Sequence, residues 1–197
     1  MTGRAPCACQ ARHDARRIVL TGGPGAGKTA VLELVRRYFC RHVDPLPEAA
    51  SILFLGGFRR GTTPPAREAA QRAIFHVQRG LEAVAGAESD AAIVLCDRGT
   101  IDGAAYWPSP TGFFEAMGTT REAELARYHA VLHLRTPALS NGYGHLNPAR
   151  IETAAEAQAI DERISLAWAG HPQRVFVEST GDFLQKAARA LDVLRGW

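Results

Sequence analysis

Lysine is scarce in this 197-residue chain: Lys28 and Lys186 are its two lysines, and arginine supplies the other basic side chains. Lys186 stands in the sequence LQKAA, so the N-K-x-D motif with which Ras-like GTPases read guanine is absent. The net charge is only +3, and no basic cluster is interleaved with aromatic residues. These absences disfavour a classical GTPase and give no support to nucleic-acid binding.

Long hydrophobic runs are absent as well. The apolar patch at residues 52–55 and the run at 91–96 are both far shorter than the ~20 residues that span a bilayer. The N-terminal segment contains several arginines and lacks the apolar core of a signal peptide. We therefore expect a cytoplasmic protein. With 46% hydrophobic residues the chain can bury one good core, and we expect a single domain over residues 16–197 after a disordered tail at 1–15.

Cysteine is also rare, with four residues at positions 7, 9, 40 and 96. Their spacing indicates neither a disulfide framework nor paired C-x-x-C zinc ligands. Cys7, Cys9 and His13 together offer ligands for zinc, although terminal segments of this kind are more often simply disordered. Both interpretations remain open from the sequence.

Residues 22–29 fit the pattern G-x-x-x-x-G-K-[ST] of a phosphate-binding loop, or P-loop. The apolar residues 17–21 suit a buried parallel strand, and residues 30–39 repeat apolar side chains at helical spacing. In that setting backbone N–H groups converge on phosphate oxygens, Lys28 reaches the outer phosphates, and Thr29 binds Mg²⁺. The residues predicted to contact ATP or GTP are Gly22, Gly23, Pro24, Gly25, Ala26, Gly27, Lys28, Thr29 and Ala30.

A second apolar strand, predicted at residues 91–96, delivers Asp97 to its carboxyl end. This is the position of a Walker B acid, which holds Mg²⁺ directly or through water beside the P-loop hydroxyl. Arg98 and Asp102 follow four residues apart, so that a helix starting near Thr100 projects both side chains into the cleft. Asp102 then either orients Arg98 or contacts the acceptor. The alternative is a purely structural Asp-Arg turn.

Two further side chains are candidates for contact with a phosphate acceptor. Glu48 follows an extended segment that two prolines keep out of helix, and ligands of open parallel sheets bind at such strand ends. It can instead be an N-terminal-turn glutamate that a helix dipole favours. The helix predicted at residues 66–85 has an apolar face formed by Ala70, Ala73, Ile74, Val77 and Leu81. Gln78 lies on another, polar face, where it reaches an acceptor or meets water.

Two more strands, at residues 130–135 and 174–178, each precede a helix, at 152–168 and 183–194 respectively. The glycine- and asparagine-rich residues 139–148 lead into Arg150, where a lid over the phosphates is expected. Together the pattern predicts an α/β fold with a parallel sheet.

Three segments besides the P-loop can be compared with known families: residues 46–50, the stretch DRGTIDGAAYW at 97–107, and residues 147–152. With them the chain resembles small bacterial AAA-domain ATP/GTP-binding proteins grouped with the ribosylnicotinamide-kinase domain, similar in layout to thymidylate and deoxynucleoside kinases. The likeness runs from about Arg16 to the C-terminus. It implies a three-layer fold, with helices on both faces of a five-stranded parallel sheet of order 2-3-1-4-5.

The resemblance also implies residue roles. Glu48 would act as base for the acceptor hydroxyl, Asp97 and Arg98 would take the Asp-Arg roles, and Arg150 would be the lid arginine, with Arg163 a weaker second candidate. Gly99 departs from the tyrosine that most thymidylate kinases carry after Asp-Arg, which disfavours thymidylate as substrate. Asp97 is followed by arginine, and not by the glutamate that activates water in motor ATPases.

The sequence thus favours a Mg²⁺-dependent phosphotransferase that moves the γ-phosphoryl of ATP or GTP to a small, nucleoside-like acceptor. Catalysis would rest on Lys28, Glu48, Asp97, Arg98 and Arg150, acceptor binding on Glu48, Arg98, Asp102 and Gln78, and Mg²⁺ on Thr29 and Asp97. The alternative is a nucleotide-binding switch that regulates a protein or lipid partner through the glycine-bracketed loops at 56–61 and 139–145. The sequence leaves the oligomeric state open.

Overall fold

The structure is a computed structural model that describes residue 7 and residues 13–109, 111–137, 153–179 and 181–197. Its strands are β1 (Arg16–Thr21), β2 (Val43–Leu46), β3 (Ile93–Asp97), β4 (Ala130–Leu134) and β5 (Arg174–Val177). The helices are α1 (Lys28–Tyr38), α2 (Ala49–Leu55), α3 (Pro64–Glu88), α4 (Phe113–Ala116), α5 (Arg121–Leu125), α6 (Ala154–Ala167) and α7 (Phe183–Gly196). A 3₁₀ helix spans Thr100–Ala105.

The strands form one sheet of order β2-β3-β1-β4-β5, and each neighbouring pair is parallel. This confirms the predicted topology. β1 lies at the centre, with Leu20 in register with Asp97 on one side and with Leu132 on the other. The carboxyl ends of all five strands therefore meet at one edge, which is where ligands bind in open parallel sheets.

Alternate residues of the central strand face opposite layers. Ile18 and Leu20 belong to a core cluster with α1 and α7, whereas Val19 packs in a second cluster with residues of α6 and the 3₁₀ helix. All three side chains are fully buried. A strand covered on both faces needs apolar residues on both, which explains why the strands appear in the sequence as continuous apolar runs.

Polar caps explain where two helices begin. Thr153 and Glu156 form a capping box at the start of α6, so the helix begins two residues later than the sequence predicted. Asp182 accepts a hydrogen bond from the Leu184 amide and caps α7.

The buried face of α3 differs from the predicted one. The side chains that this helix buries are Ala70, Phe75, Gln78, Glu82 and Ala85. The sequence prediction placed Gln78 on a polar, solvent-facing side, and this was wrong: Gln78 Nε2 donates to Glu82 Oε1 at 2.9 Å inside the protein. Glu82 itself pairs with Arg127 and accepts from the Tyr128 hydroxyl, so a buried polar network replaces the expected apolar stripe.

Within the described residues, none of the helices combines the length and the apolar character that crossing a bilayer requires.

Candidate functional site

The P-loop lies between β1 and α1, as the motif predicted. Gly22 and Gly27 have positive φ angles of 135° and 94°, which L side chains rarely adopt. At Gly22 a Cβ atom would also lie 2.0 Å from the Leu134 carbonyl oxygen, so the turn needs glycine for space as well. Gly22 therefore packs directly against the end of β4, and the backbone of the loop bends back around the start of α1.

Lys28 lies inside that curl. Its Nζ donates to the carbonyl oxygens of Gly22 at 2.8 Å and Gly23 at 3.0 Å. Burial, with the neighbouring Arg98 charge, lowers the pKa of Lys28 to about 8, even though Asp97 and Glu48 oppose the shift. The ammonium is therefore protonated at neutral pH and is set to attract phosphate oxygens.

Two side chains that the sequence analysis did not select brace the P-loop from outside. Asp161 on α6 accepts from the Gly23 amide at 2.8 Å and lies 2.9 Å from His133 Nε2. Lys186 on α7 donates to the Ala26 carbonyl at 2.8 Å and to the Arg135 carbonyl at 2.5 Å, and burial lowers its pKa to about 8. In the sequence, Lys186 stands out only as one of two lysines. That rarity does not indicate where the side chain lies in the fold.

Asp97 ends β3 next to the P-loop strand. Its Oδ1 is buried and has no hydrogen-bond partner among the described residues. Burial and the nearby Glu48 charge raise the pKa of Asp97 to about 6. A buried carboxylate oxygen without a protein partner is what a hard cation would use, so Asp97 together with the exposed Thr29 fits a Mg²⁺ site.

Arg98 is the centre of the other half of the site. Its Nε donates to Glu48 Oε1 at 2.8 Å, and its Nη1 donates to Asp102 Oδ1 at 3.1 Å and to the Gly22 carbonyl at 3.3 Å. Arg98 is also the one non-glycine residue with positive φ (69°) in the described part of the chain, a conformation that costs about 1–3 kcal/mol. The guanidinium thus joins the end of β2, the P-loop and the 3₁₀ helix.

Glu48 lies just before α2 with its carboxylate held from two sides. Besides Arg98, the Ser51 hydroxyl donates to Glu48 Oε2 at 2.5 Å. Burial alone would raise the pKa of Glu48, but Arg98, Ser51 and Lys28 together lower it to about 2. The carboxylate is therefore ionised at neutral pH, and its side chain is still 27% exposed.

Asp102 lies behind Arg98 in the 3₁₀ helix. It accepts four hydrogen bonds, from the Thr21 hydroxyl (2.5 Å), Arg98 Nη1 (3.1 Å), the Gly99 amide (3.1 Å) and Trp168 Nε1 (3.0 Å). With its side chain only 4% exposed, it holds Arg98 in place and is turned away from solvent. The geometry supports the predicted orienting role and gives no support to direct contact with an acceptor.

Gly99 has no room for a side chain. A Cβ atom there would lie 2.8 Å from the Trp168 ring, which explains the departure from the Asp-Arg-Tyr pattern of most thymidylate kinases.

Two other predicted residues, Gln78 and Arg163, make their hydrogen bonds outside this group. Gln78 belongs to the buried Glu82 network, so its predicted contact with an acceptor is not supported. Arg163 donates to the Ala105 carbonyl at 2.8 Å. Arg150 and the expected lid at residues 139–148 lie outside the described residues.

A family model described as an AAA domain matches residues 17–186, which is most of the chain. The chain belongs to this AAA-domain family. It is a small P-loop NTPase, which confirms the resemblance and the fold that the sequence indicated. No curated protein matches the sequence.

Two solved structures share the fold of this AAA domain. One is a NadR protein in complex with NAD and AMP-PNP, at 15% identity and a TM-score of 0.64, covering 94% of this chain and 50% of that one. The other is a NadR protein in complex with NR, at 18% identity and a TM-score of 0.65, covering 94% and 52%. The AAA domain thus spans about half the length of these NadR chains.

Along the carboxyl edge of the sheet, the predicted site residues and an open cleft lie on opposite sides of the P-loop. Glu48, Asp97 and Arg98 follow β2 and β3, on one side of the P-loop. On the other side, after β4 and β5, a cleft of about 460 Å³ is lined by Arg135, Thr136, Gln158, Ala159, Asp161, Glu162, Glu178 and Ser179. A nucleotide on the P-loop therefore has open space on one side and the Glu48–Arg98 pair on the other.

Proposed function

We propose that this AAA domain is a Mg²⁺-dependent phosphotransferase that moves the γ-phosphoryl group of ATP or GTP to a hydroxyl or phosphate of a small, nucleoside-like acceptor. The observation that carries the proposal is the Glu48–Arg98 pair beside the P-loop. A switch needs nucleotide and metal contacts, but it does not need a second, ionised carboxylate held on the far side of the phosphates. The NadR proteins that share this fold were solved in complex with NAD and AMP-PNP and in complex with NR, which supports the binding of small, nucleotide-like molecules by such a fold.

Catalysis of such a transfer depends mainly on positioning the two substrates and on neutralising the negative charge of the transition state. The transition state is loose, with negative charge on the equatorial oxygens of the moving group, so fixed positive groups lower its energy. Lys28 and Arg98 supply these charges from inside the P-loop and from the acceptor side. Arg150 is proposed to add a further charge from the lid.

Glu48 is proposed to orient the acceptor. With a pKa of about 2 it is a weak base, so its main contribution is an ionised oxygen that accepts the acceptor's O–H hydrogen bond. The acceptor oxygen then forms its bond to the γ-phosphorus as the bond to the β,γ-bridging oxygen breaks, and the nucleoside diphosphate leaves. The acceptor's proton moves late, to Glu48 or to solvent.

Mg²⁺, held by Thr29 and Asp97, would neutralise the charge on the β- and γ-phosphate oxygens. We expect Asp97→Asn to lower Mg²⁺-dependent turnover by about 100-fold, because an amide is a poorer ligand than a carboxylate. Nucleotide affinity without Mg²⁺ should change by less than about threefold, or ~0.7 kcal/mol. Titrating turnover and nucleotide binding against Mg²⁺ measures both quantities.

Asp192→Asn is the matched control for that variant, since Asp192 is exposed on α7 and pairs with Arg195. An Asp97→Asn protein with the same Mg²⁺ dependence as wild type would remove Asp97 from the metal site.

The proposed activity is tested by a substrate screen. Ribonucleosides, deoxynucleosides, nicotinamide riboside and small alcohols are incubated with ATP or GTP and Mg²⁺, and phosphorylated products are followed by mass. At least one nucleoside-like compound should gain a phosphoryl group, and Glu48→Gln should lose that product while still binding nucleotide. If no compound is phosphorylated and nucleotide instead changes the capture of a purified protein or lipid partner, the switch hypothesis replaces the kinase.

A further inference from the structure

Two cysteines and a histidine come together far from the P-loop. Cys7 Sγ lies 3.3 Å and Cys40 Sγ 3.5 Å from the same atom, His42 Nδ1. The three potential ligand atoms are all within 4.8 Å of one another. His42 is buried, Cys40 is half-buried and Cys7 is exposed, so the cluster opens to solvent on one side.

Hydrogen bonding alone accounts poorly for this arrangement. A neutral imidazole nitrogen offers one lone pair or one proton, so Nδ1 cannot accept from both thiols at once. His42 Nε2 is buried and has no hydrogen-bond partner among the described residues. Nε2 therefore pairs with neither thiol, and both sulfur atoms share the single nitrogen Nδ1.

The two sulfur–nitrogen distances match metal coordination. With Zn–S of about 2.3 Å and Zn–N of about 2.05 Å in a tetrahedron, sulfur and nitrogen ligands lie about 3.6 Å apart. The observed 3.3 and 3.5 Å are close to that value. Thiolate and imidazole are also the ligand types that zinc prefers.

We propose that Cys7, Cys40 and His42 bind a structural Zn²⁺. The ring of His13 packs edge-on against His42, with centroids 4.8 Å apart, so it lies beside the three-ligand cluster but is not part of it. The sequence suggested a different set, Cys7 with Cys9 and His13. The tertiary structure adds Cys40 and His42, and Cys9 lies outside the described residues.

The position of the cluster indicates a role in stability. Cys40 and His42 lie between the end of α1 and the start of β2, at the amino ends of the strands, whereas the P-loop follows a carboxyl end. The His42 carbonyl accepts from the Ile93 amide at 3.0 Å, so the cluster is tied directly to the sheet. Zinc would join residues 35 positions apart in the chain and add its binding free energy to folding.

The test uses the full chain with any affinity tag removed, purified under reducing conditions. Elemental analysis should give one zinc per chain, and Co²⁺ added to the metal-free protein should give the charge-transfer absorption of thiolate ligands. A chelator should lower the melting temperature of the wild type. Cys7→Ser, Cys40→Ser and His42→Asn should each lose the metal and the chelator effect, whereas Cys96→Ala, a buried cysteine outside the cluster, should keep both.

Cys7→Ser is the safest variant, because Cys7 is exposed and its change leaves the core intact. Far-UV circular dichroism checks the fold of each variant. Reduced protein that binds neither Zn²⁺ nor Co²⁺ would overturn the proposal. Full metal content in Cys40→Ser would also overturn it and would indicate a site built from the N-terminal segment alone.

Discussion

Lys28→Ala should reduce phosphoryl transfer by roughly 10³-fold, since fixed charges aimed at the transferring group contribute about that much. Lys28 has two hydrogen-bond partners within the P-loop, the carbonyl oxygens of Gly22 and Gly23. Its ammonium is therefore already inside the loop that the phosphates enter. Removing it takes away both the charge and the group that holds the loop curled.

Turnover and nucleotide affinity are measured together in this variant, because both should fall. Arg36→Ala is the control: Arg36 lies on the same helix and forms an ion pair with Glu33 on the surface of α1, a kind of contact that contributes little to stability. Thermal melting shows whether Lys28→Ala is folded. A folded variant that still transfers phosphoryl groups at the wild-type rate would show that the nucleotide site is wrongly assigned.

Asp102→Ala should lower the free energy of unfolding by about 3–5 kcal/mol, because it removes one partner from a buried ion pair. Four donors lose their acceptor, among them Arg98 Nη1 and Trp168 Nε1. An aspartate that merely complements a helix dipole would contribute at most ~1 kcal/mol. Denaturant unfolding therefore separates the buried network from a simple helix-end charge.

The same variant should also affect the reaction. Without Asp102, Arg98 keeps Glu48 and the Gly22 carbonyl as partners, but its Nη1 loses the shorter and charged one of its two contacts. We expect a higher acceptor KM or a lower kcat, with nucleotide affinity changed by less than about threefold. Asp102→Asn should recover part of the stability, since the amide oxygen still accepts two of the hydrogen bonds.

Asp90→Ala, an exposed aspartate before β3, serves as control for Asp102→Ala. Unchanged acceptor kinetics in a destabilised Asp102→Ala protein would make Asp102 a structural residue without influence on Arg98.

Much of the fold follows from local patterns in the sequence. A strand buried on both faces must be apolar throughout, so β1, β3 and β4 could be predicted within about two residues from short runs. The P-loop could be predicted for a similar reason: its function needs glycines, Lys28 and Thr29 between a strand and a helix, and all lie within eight consecutive positions. Asp97 was found because it ends such a strand.

Gln78 shows where periodicity fails. The predicted face of α3 followed apolar side chains, but the helix turns Gln78 and Glu82 inward to meet Arg127 and Tyr128. Burial of a polar side chain depends on its partners, and those partners lie on other elements. No pattern within one helix contains that information.

The sequence by itself determined the P-loop, the parallel α/β architecture and the placement of Glu48, Asp97 and Arg98 at strand ends. Only the tertiary structure decided their partners: Asp102 against Thr21 across 81 positions, Asp161 against Gly23 across 138, and Lys186 against Ala26 across 160. It also decided that Cys7 meets Cys40 and His42. The physical reason is that backbone conformation and burial follow neighbours in sequence, whereas hydrogen bonds and metal ligands need atoms within a few ångströms, which chain packing alone brings together.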